Sequence, residues 1–137
     1  MRSGLGAMLA AAAALAGCGS DDDYANKPRP PSPIVITATI LKDKVAVSPR
    51  AFGAGPVQLI VANQTEAAQR VTFESKGGSG GFTQASGPIN PRDTATLRAD
   101  VPSGAAVVSV GGASGIKNAE VNVGTRRPSA QDQLLQP

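Results

Sequence analysis

The clearest pattern along the chain is a series of short stretches in which apolar and polar residues alternate. In residues 70–75, for example, Val71 and Phe73 fall on one side of an extended chain, and Thr72 and Glu74 fall on the other. A period of two residues is typical of a β-strand that buries one face. Together with runs of β-branched residues, the pattern predicts strands at residues 34–41, 44–48, 57–62, 70–75, 82–86, 94–98, 106–110 and 119–123.

The segments between these stretches are rich in residues that favour turns. The chain contains 16 Gly and 11 Pro, and residues 77–81 are predicted to form a flexible loop or hairpin tip. Many short strands separated by turns are typical of a sandwich of two sheets. We therefore predict an all-β domain over residues 34–124, an antiparallel Greek-key β-sandwich. With three Phe, one Tyr and no Trp in the chain, its core has to be built from Val, Ile, Leu and Ala.

The first residues of the chain have the pattern of an export signal. Arg2 supplies a positive charge, and the apolar residues 5–15 follow it. This apolar segment is too short to span a membrane, which takes ~20 residues. The small residues Ala16 and Gly17 then precede Cys18, the single cysteine of the chain. This order is typical of a signal peptide that is removed during secretion.

The end of this segment, residues 15–18, resembles the lipobox of bacterial lipoproteins. The resemblance implies that residues 1–17 are cleaved and that the Cys18 thiol carries a diacylglycerol with fatty acids such as palmitate. Two acyl chains anchor a protein stably where one does not. We therefore expect the protein on the extracytoplasmic face of the cell membrane, which it contacts through the lipid on Cys18. An ordinary secretory signal that contains a cysteine by coincidence is the alternative.

Polar segments flank the predicted domain on both sides. Residues 18–33 contain three consecutive Asp and four Pro, with very few apolar side chains. Such a segment cannot bury enough surface to fold, so it is predicted to be a disordered tether behind the lipidated cysteine. Residues 125–137 are predicted to form a polar C-terminal tail, in which residues 129–132 either cap a short helix or fray.

The composition argues against several classes of function. The net charge of +3 falls to +2 when residues 1–17 are removed, because they include one Arg. So weak a charge, with almost no aromatic side chains to stack on bases, argues against nucleic-acid binding. The single cysteine excludes an internal disulfide, and the absence of His excludes Ser-His and Cys-His catalysis. We therefore expect no catalytic residues and no enzyme activity.

Within the predicted sandwich, three segments resemble the cupredoxin family. In residues 47–65, a turn with a proline and a Gly-Pro pair precede a strand that ends at an Asn. Residues 89–104 contain a proline turn, an alternating strand and a second turn with Pro and Gly, and residues 115–123 place a glycine before the last strand. The resemblance implies a cupredoxin-like fold, with an immunoglobulin-like sandwich as the alternative.

The copper chemistry of that family is not implied for this chain. A blue-copper site takes two His, a Cys thiolate and usually a distant Met. The corresponding positions fall near Gln69, near Val110, within residues 111–114 and at Ile116, and none of these is such a ligand. Beyond Cys18 the chain contains no His, Met or Cys. We therefore expect no metal and no other cofactor.

Three shorter motifs have simpler interpretations than a functional site. Residues 63–65 match an N-glycosylation acceptor, but Asn63 is interpreted as the residue that ends a strand and opens a turn through its side chain. Residues 107–117 look like a glycine-rich nucleotide turn, but a strand rather than a helix follows them. Ser75 and Lys76 are adjacent and lack an oxyanion signature, so they are not interpreted as a catalytic pair.

These observations predict a lipoprotein with a non-catalytic interaction or structural role, whose partner is a protein of the cell envelope. The alternative is an accessory protein that delivers a small ligand or a metal on a cupredoxin scaffold. The absence of His from the chain, and of Met beyond residue 8, weighs against the metal version of that alternative.

Overall fold

The computed structural model describes residues 28–76, 81–112 and 115–132. The predicted signal peptide, Cys18 and most of the predicted tip at residues 77–81 lie outside the described residues. The described residues include no helix that is long and apolar enough to cross a membrane. Within them the chain forms the strands β1 (Ile34–Ile40), β2 (Val45–Ser48), β3 (Ala51–Asn63), β4 (Arg70–Ser75), β5 (Thr83–Ala85), β6 (Thr94–Val101), β7 (Gly104–Gly111) and β8 (Ala119–Arg126).

The strands form two layers that share β3. The order is β2-β1-β3-β6 in one layer and β3-β8-β7-β4-β5 in the other. Residues 55–63 of β3 belong to the first layer, and residues 51–54 belong to the second. The all-β sandwich predicted from the alternation is therefore confirmed.

The core between the layers is aliphatic, as the composition requires. Its buried side chains are Ile36, Ala38, Ile40, Val45, Val47, Ala54, Val57, Leu59, Val61, Val71, Phe73, Ile89, Leu97, Val101, Ala106, Val108, Val110, Ala119, Val121 and Val123. The ring of Phe73 meets that of Phe82 edge to face, with centroids 4.7 Å apart. Phe82 follows the predicted tip directly, and this contact packs it against the core.

Two strand pairings differ from the antiparallel arrangement that was predicted. β1 and β3 run parallel, with Ile34 opposite Val57, and β3 and β8 also run parallel, with Ala51 opposite Asn122. Alternation shows which face of a strand is buried but not which way the strand runs. β2 returns antiparallel to β1, and the chain then enters the other layer before β3 comes back beside β1. β3 therefore acquires the direction of β1.

The start of β3 was also not predicted. The strand was predicted to begin at residue 57, because Gly and Pro in the preceding segment favour a turn, but it begins at Ala51. In the structure, β3 crosses from one layer to the other in this segment. The register with β8 shifts between Gly53 and Ala54, and Gly55 has a φ of 130°, which glycine adopts readily. Pro56 follows and has no N–H group that would need a partner.

One arginine side chain bonds the carbonyl groups at this crossover. Arg127 Nε lies 3.1 Å from Gly53 O and 3.3 Å from Ala54 O. Its two terminal nitrogens donate to the carbonyls of Ser32 and Pro56. Glycine allows this approach, because a Cβ on Gly53 would lie 2.7 Å from Arg127 Cγ. Since carbonyls away from water need donors, Arg127 stabilises the point where β3 changes layers.

The segments before β1 and after β8 meet at the same end of the sandwich as this arginine. Ser129 Oγ donates to Arg29 O at 2.6 Å, and Pro31 is buried. The last residues of the predicted tether therefore pack against residues of the predicted tail, and β8 itself extends to Arg126. We call this the tether end, defined as residues 28–33 and 127–130.

We predict that Arg127→Ala lowers the free energy of unfolding by about 2 kcal/mol, because the part-buried carbonyls of Gly53 and Pro56 lose their side-chain donor, while Ala54 O keeps the backbone N–H of residue 127. Urea denaturation of the chain measures the change. Arg126→Ala is the matched control, because Arg126 is exposed and pairs only with Asp100, at 3.2 Å, among the described residues. Its loss should cost less than about 1 kcal/mol. Equal effects of the two substitutions would contradict the role assigned to Arg127.

Candidate functional site

Asn63, at the end of β3, is a buried polar residue whose carboxamide is fully hydrogen-bonded. Its side-chain Nδ2 donates to the carbonyls of Ala67 and Ile89, each at 2.8 Å. Its Oδ1 accepts from the backbone N–H of Thr65 at 2.9 Å and lies 2.7 Å from Thr65 Oγ1. The prediction that Asn63 opens a turn through its side chain is therefore confirmed.

The backbone of Asn63 is bonded as completely as its side chain. Its N–H donates to Asp93 O at 3.0 Å, and its carbonyl accepts from the N–H of Arg92 at 2.8 Å. Arg92 has a φ of 64°, which is uncommon for a residue with a side chain, and this bond helps to hold it there. Asn63 thus joins the end of β3 to residues 64–69 and 89–93. We call this arrangement the Asn63 hub.

An open cavity of about 440 Å³ lies beside the Asn63 hub. Gln69 Nε2 donates to Thr65 Oγ1 at 3.3 Å, so a hydroxyl group links the cavity wall to the hub. A second cavity, of about 610 Å³, lies on the other side of residues 64–66, against Pro91 and Arg92. The first cavity is lined by Lys42, Gln64, Thr65, Glu66, Ala67, Gln69 and Ile116.

We call this part of the molecule the cavity end, defined as residues 41–44, 63–69, 89–93 and 115–117. It lies at the opposite end of the sandwich from the tether end. β1 runs from Ile34, beside the tether end, to Ile40, which pairs with Asn63. The 7 residues of β1 span ~20 Å at ~3.3 Å per residue.

Lysine side chains are concentrated at the cavity end. Lys42 lines the cavity, and Lys44 lies opposite Lys117 in a parallel bridge in which the N–H of Lys117 donates to Asp43 O at 2.9 Å. Residues paired in this way present their side chains on the same side, where like charges are unfavourable. Neither Lys44 nor Lys117 forms a salt bridge with any residue that the structure describes. This repulsion is relieved if a negatively charged group approaches from outside.

The structure brings together two of the positions that correspond to copper ligands in the cupredoxin family. Gln69 and Ile116 both line the cavity, and Val110 is buried near the end of β7. Residues 113–114 lie outside the described part. A carboxamide and two aliphatic side chains do not bind copper as a thiolate and imidazoles do, so these residues do not fit a blue-copper ion. Among the described residues, no group of three or more His, Cys, Asp or Glu is close enough to hold a metal.

The charged residues of the cavity end do not stand out in the sequence as parts of one surface. Lys42 and Lys44 stand in a Lys-Asp-Lys turn between two predicted strands, and such a turn is usually a solvated loop. Glu66 follows residues 63–65, for which the sequence predicts only a turn. Lys117 is distant from all of them in sequence, and only the bridge to Lys44 shows that it belongs to the same surface.

No protein-family model and no curated protein matches the sequence. Among solved structures, the fold is similar to that of auracyanin A, a "blue" copper protein from the green thermophilic photosynthetic bacterium Chloroflexus aurantiacus. The TM-score is 0.53 at 11% sequence identity, and the similarity covers 67% of this chain and 99% of that one. At so low an identity the similarity shows the fold alone. The cupredoxin-like fold expected from the sequence is therefore confirmed, rather than the immunoglobulin-like alternative.

We predict that Asn63→Asp lowers the free energy of unfolding by about 3 kcal/mol, because a carboxylate cannot donate to the carbonyls of Ala67 and Ile89. Urea denaturation measures the difference. Gln64→Glu makes the same chemical change at the exposed neighbouring residue and should alter the stability by less than about 0.5 kcal/mol. If Asn63→Asp is as mild as Gln64→Glu, the hub does not hold these loops.

We also predict that the chain gives no intense visible absorption when it is titrated with Cu²⁺. The colour of a blue site comes from a copper–thiolate bond held among imidazoles. The chain has no His, and its single cysteine is Cys18, outside the predicted domain. Absorption spectra recorded during the titration, with and without a mild chelator, check this expectation. A strong band that survives the chelator would mean that unrecognised ligands converge in the domain.

Proposed function

We propose that the protein is a lipoprotein, anchored on the extracytoplasmic face of the cell membrane through Cys18, that acts as a non-catalytic interaction module. The supporting observation is the separation of its two ends. The chain that leads from Cys18 reaches the domain at the tether end, where Arg127 and Ser129 bond residues 29 and 32. The cavity end lies at the other end of β1, so an anchor at Cys18 directs the cavity end away from the membrane.

The lysines suggest the chemistry of the partner. Lys42, Lys44 and Lys117 are exposed, and the last two are neighbours with the same charge. An acidic surface on an envelope protein would relieve their repulsion and steer the encounter. We therefore propose an acidic envelope protein as the partner of the cavity end.

Site-specific photo-crosslinking in intact cells tests the proposed interaction. A photoreactive side chain is placed at Gln64, which is exposed at the cavity end, or at Ser103, which is exposed in the turn between β6 and β7 near the tether end. We expect one discrete protein adduct from position 64 and none from position 103. Equal adducts from both positions, or none from position 64, would contradict an interaction at the cavity end.

Charge reversal tests the acidic nature of the partner. Lys44→Glu combined with Lys117→Glu should reduce the adduct from position 64 several-fold. Arg50→Glu combined with Lys76→Glu makes the same change in net charge away from the cavity end and should leave the adduct intact. If both pairs of substitutions reduce the adduct equally, the effect comes from net charge and not from the lysines of the cavity end.

The anchor is tested separately. We predict that Cys18→Ser releases the protein from the membrane or leaves it unprocessed, because the two acyl chains on the thiol provide the retention. Fractionation of cells, with an immunoblot for the cleaved and uncleaved forms, measures this. Normal cleavage together with unchanged membrane retention would contradict the lipoprotein assignment but would not affect the crosslinking result.

A small-ligand accessory protein is a second candidate, favoured by the cavity itself. Its volume of about 440 Å³ lies in the range of small-molecule sites, and its lining includes both the Lys42 ammonium and the Glu66 carboxylate. If a small molecule is the ligand, position 64 gives no protein adduct. Native mass spectrometry of the chain purified from its own membranes would then show an added mass that Gln69→Ala removes.

A further inference from the structure

An arginine lies beside exposed apolar side chains at one corner of the sandwich. Arg98 of β6 lies opposite Gln58 of β3, which lies opposite Val35 of β1, and all three point outward. Val35 is 56% exposed, and among the described residues it is the one large apolar side chain with such exposure. Arg98 is exposed and forms no salt bridge with any residue that the structure describes. This corner therefore combines an unbalanced positive charge with an apolar surface.

The next row of the sheet, nearer to its end, completes the surface. Pro56 lies opposite Asp100, and an open cavity of about 500 Å³ lies against both rows and Pro33. Asp100 pairs with Arg126 at 3.2 Å, so its charge is balanced while that of Arg98 is not. We call this surface the arginine patch, defined as the residues Pro33, Val35, Pro56, Gln58, Arg98 and Asp100.

The arginine patch lies where the chain that leads from Cys18 enters the domain. Pro33 belongs to the tether end, at which Arg127 and Ser129 bond residues 32 and 29. Ten residue steps separate Cys18 from Pro28, the first described residue. Fully extended, ten residues span at most ~35 Å. A lipid on Cys18 therefore keeps this end of the domain within that distance of the membrane.

We propose that the arginine patch contacts the phospholipid headgroups of the membrane that holds Cys18, with the guanidinium of Arg98 bonding a lipid phosphate. The inference rests on the lipid anchor proposed for Cys18. A guanidinium matches the geometry of a phosphate, and apolar side chains beside it gain from burial at the boundary of headgroups and acyl chains. The two rows of the patch are ~7 Å apart along the strands, and a headgroup layer is ~5–8 Å thick. Both rows therefore fit within that layer.

The patch fits the lipid phosphate rather than a net negative charge of the membrane. Residues 21–23 are three Asp between Cys18 and the domain, and a strongly anionic surface would repel them. A phosphate is present in every phospholipid, including those without net charge. The contact should therefore form on phosphatidylcholine, which is zwitterionic.

The fluorescence of a single tryptophan tests the proposal, because the chain contains no Trp. The lipidated protein is purified from its own membranes and placed in phosphatidylcholine vesicles, in which a fraction of the headgroups carry a nitroxide quencher. Val35→Trp reports on the arginine patch. Thr39→Trp is the matched control, because it lies on the same outward face of β1, ~13 Å further from the tether end. Quenching should be several-fold stronger at position 35 than at position 39.

Substitution of the arginine tests the contact with phosphate. Arg98→Gln should reduce the quenching at position 35 several-fold. Arg70→Gln removes the same charge from an exposed residue at the start of β4, next to the cavity end, and should leave the quenching unchanged.

Flotation of the same vesicles measures the anchor separately. Protein that floats but is quenched equally at positions 35 and 39, or whose quenching resists Arg98→Gln, would overturn the headgroup contact and leave the anchor intact. Protein that does not float would contradict the anchor itself, and this proposal with it.

Discussion

The structure depends on a single strand that belongs to both layers of the sandwich. Where β3 leaves one ladder and enters the other, the planar guanidinium of Arg127 donates to the carbonyls of Gly53, Ala54 and Pro56. This arrangement requires glycine at positions 53 and 55, because a side chain at either would collide with the arginine. Since Arg127 also bonds Ser32, the crossover, the chain before β1 and the chain after β8 form one unit.

The two ends of the sandwich use different polar groups to hold their loops. At the tether end a cation donates to several carbonyls, and its donors are turned inward. At the cavity end the neutral carboxamide of Asn63 both donates and accepts, so the loops are held without using any charged group. The lysines there remain exposed to solvent. Charge at the cavity end therefore contributes to the surface rather than to the framework.

Much of the fold could be predicted from the sequence, because alternation reports directly on which residues are buried. The strand that contains Val71 and Phe73 is an example, and the turn opened by Asn63 was predicted from the chemistry of its side chain. The direction of β3 and its start at Ala51 could not be predicted, since neither leaves a periodic signal. Arg127 was assigned to a polar tail, because nothing local distinguishes an arginine that bonds carbonyls from one in solvent. The pairing of Lys44 with Lys117 is likewise a product of topology.

The Asn63 hub also explains how a cupredoxin-like scaffold can keep a defined end without metal-binding side chains. Loops that meet around a bound ion collapse or separate when its ligands are replaced, unless other bonds fix them. Here the side chain and backbone of Asn63 connect residues 64–69 and 89–93 directly to the end of β3. The positions that correspond to metal ligands can then carry Gln69 and Ile116 without loss of the loop arrangement. The loops at this end of the sandwich are therefore held together by the hydrogen bonds of one neutral side chain and its backbone.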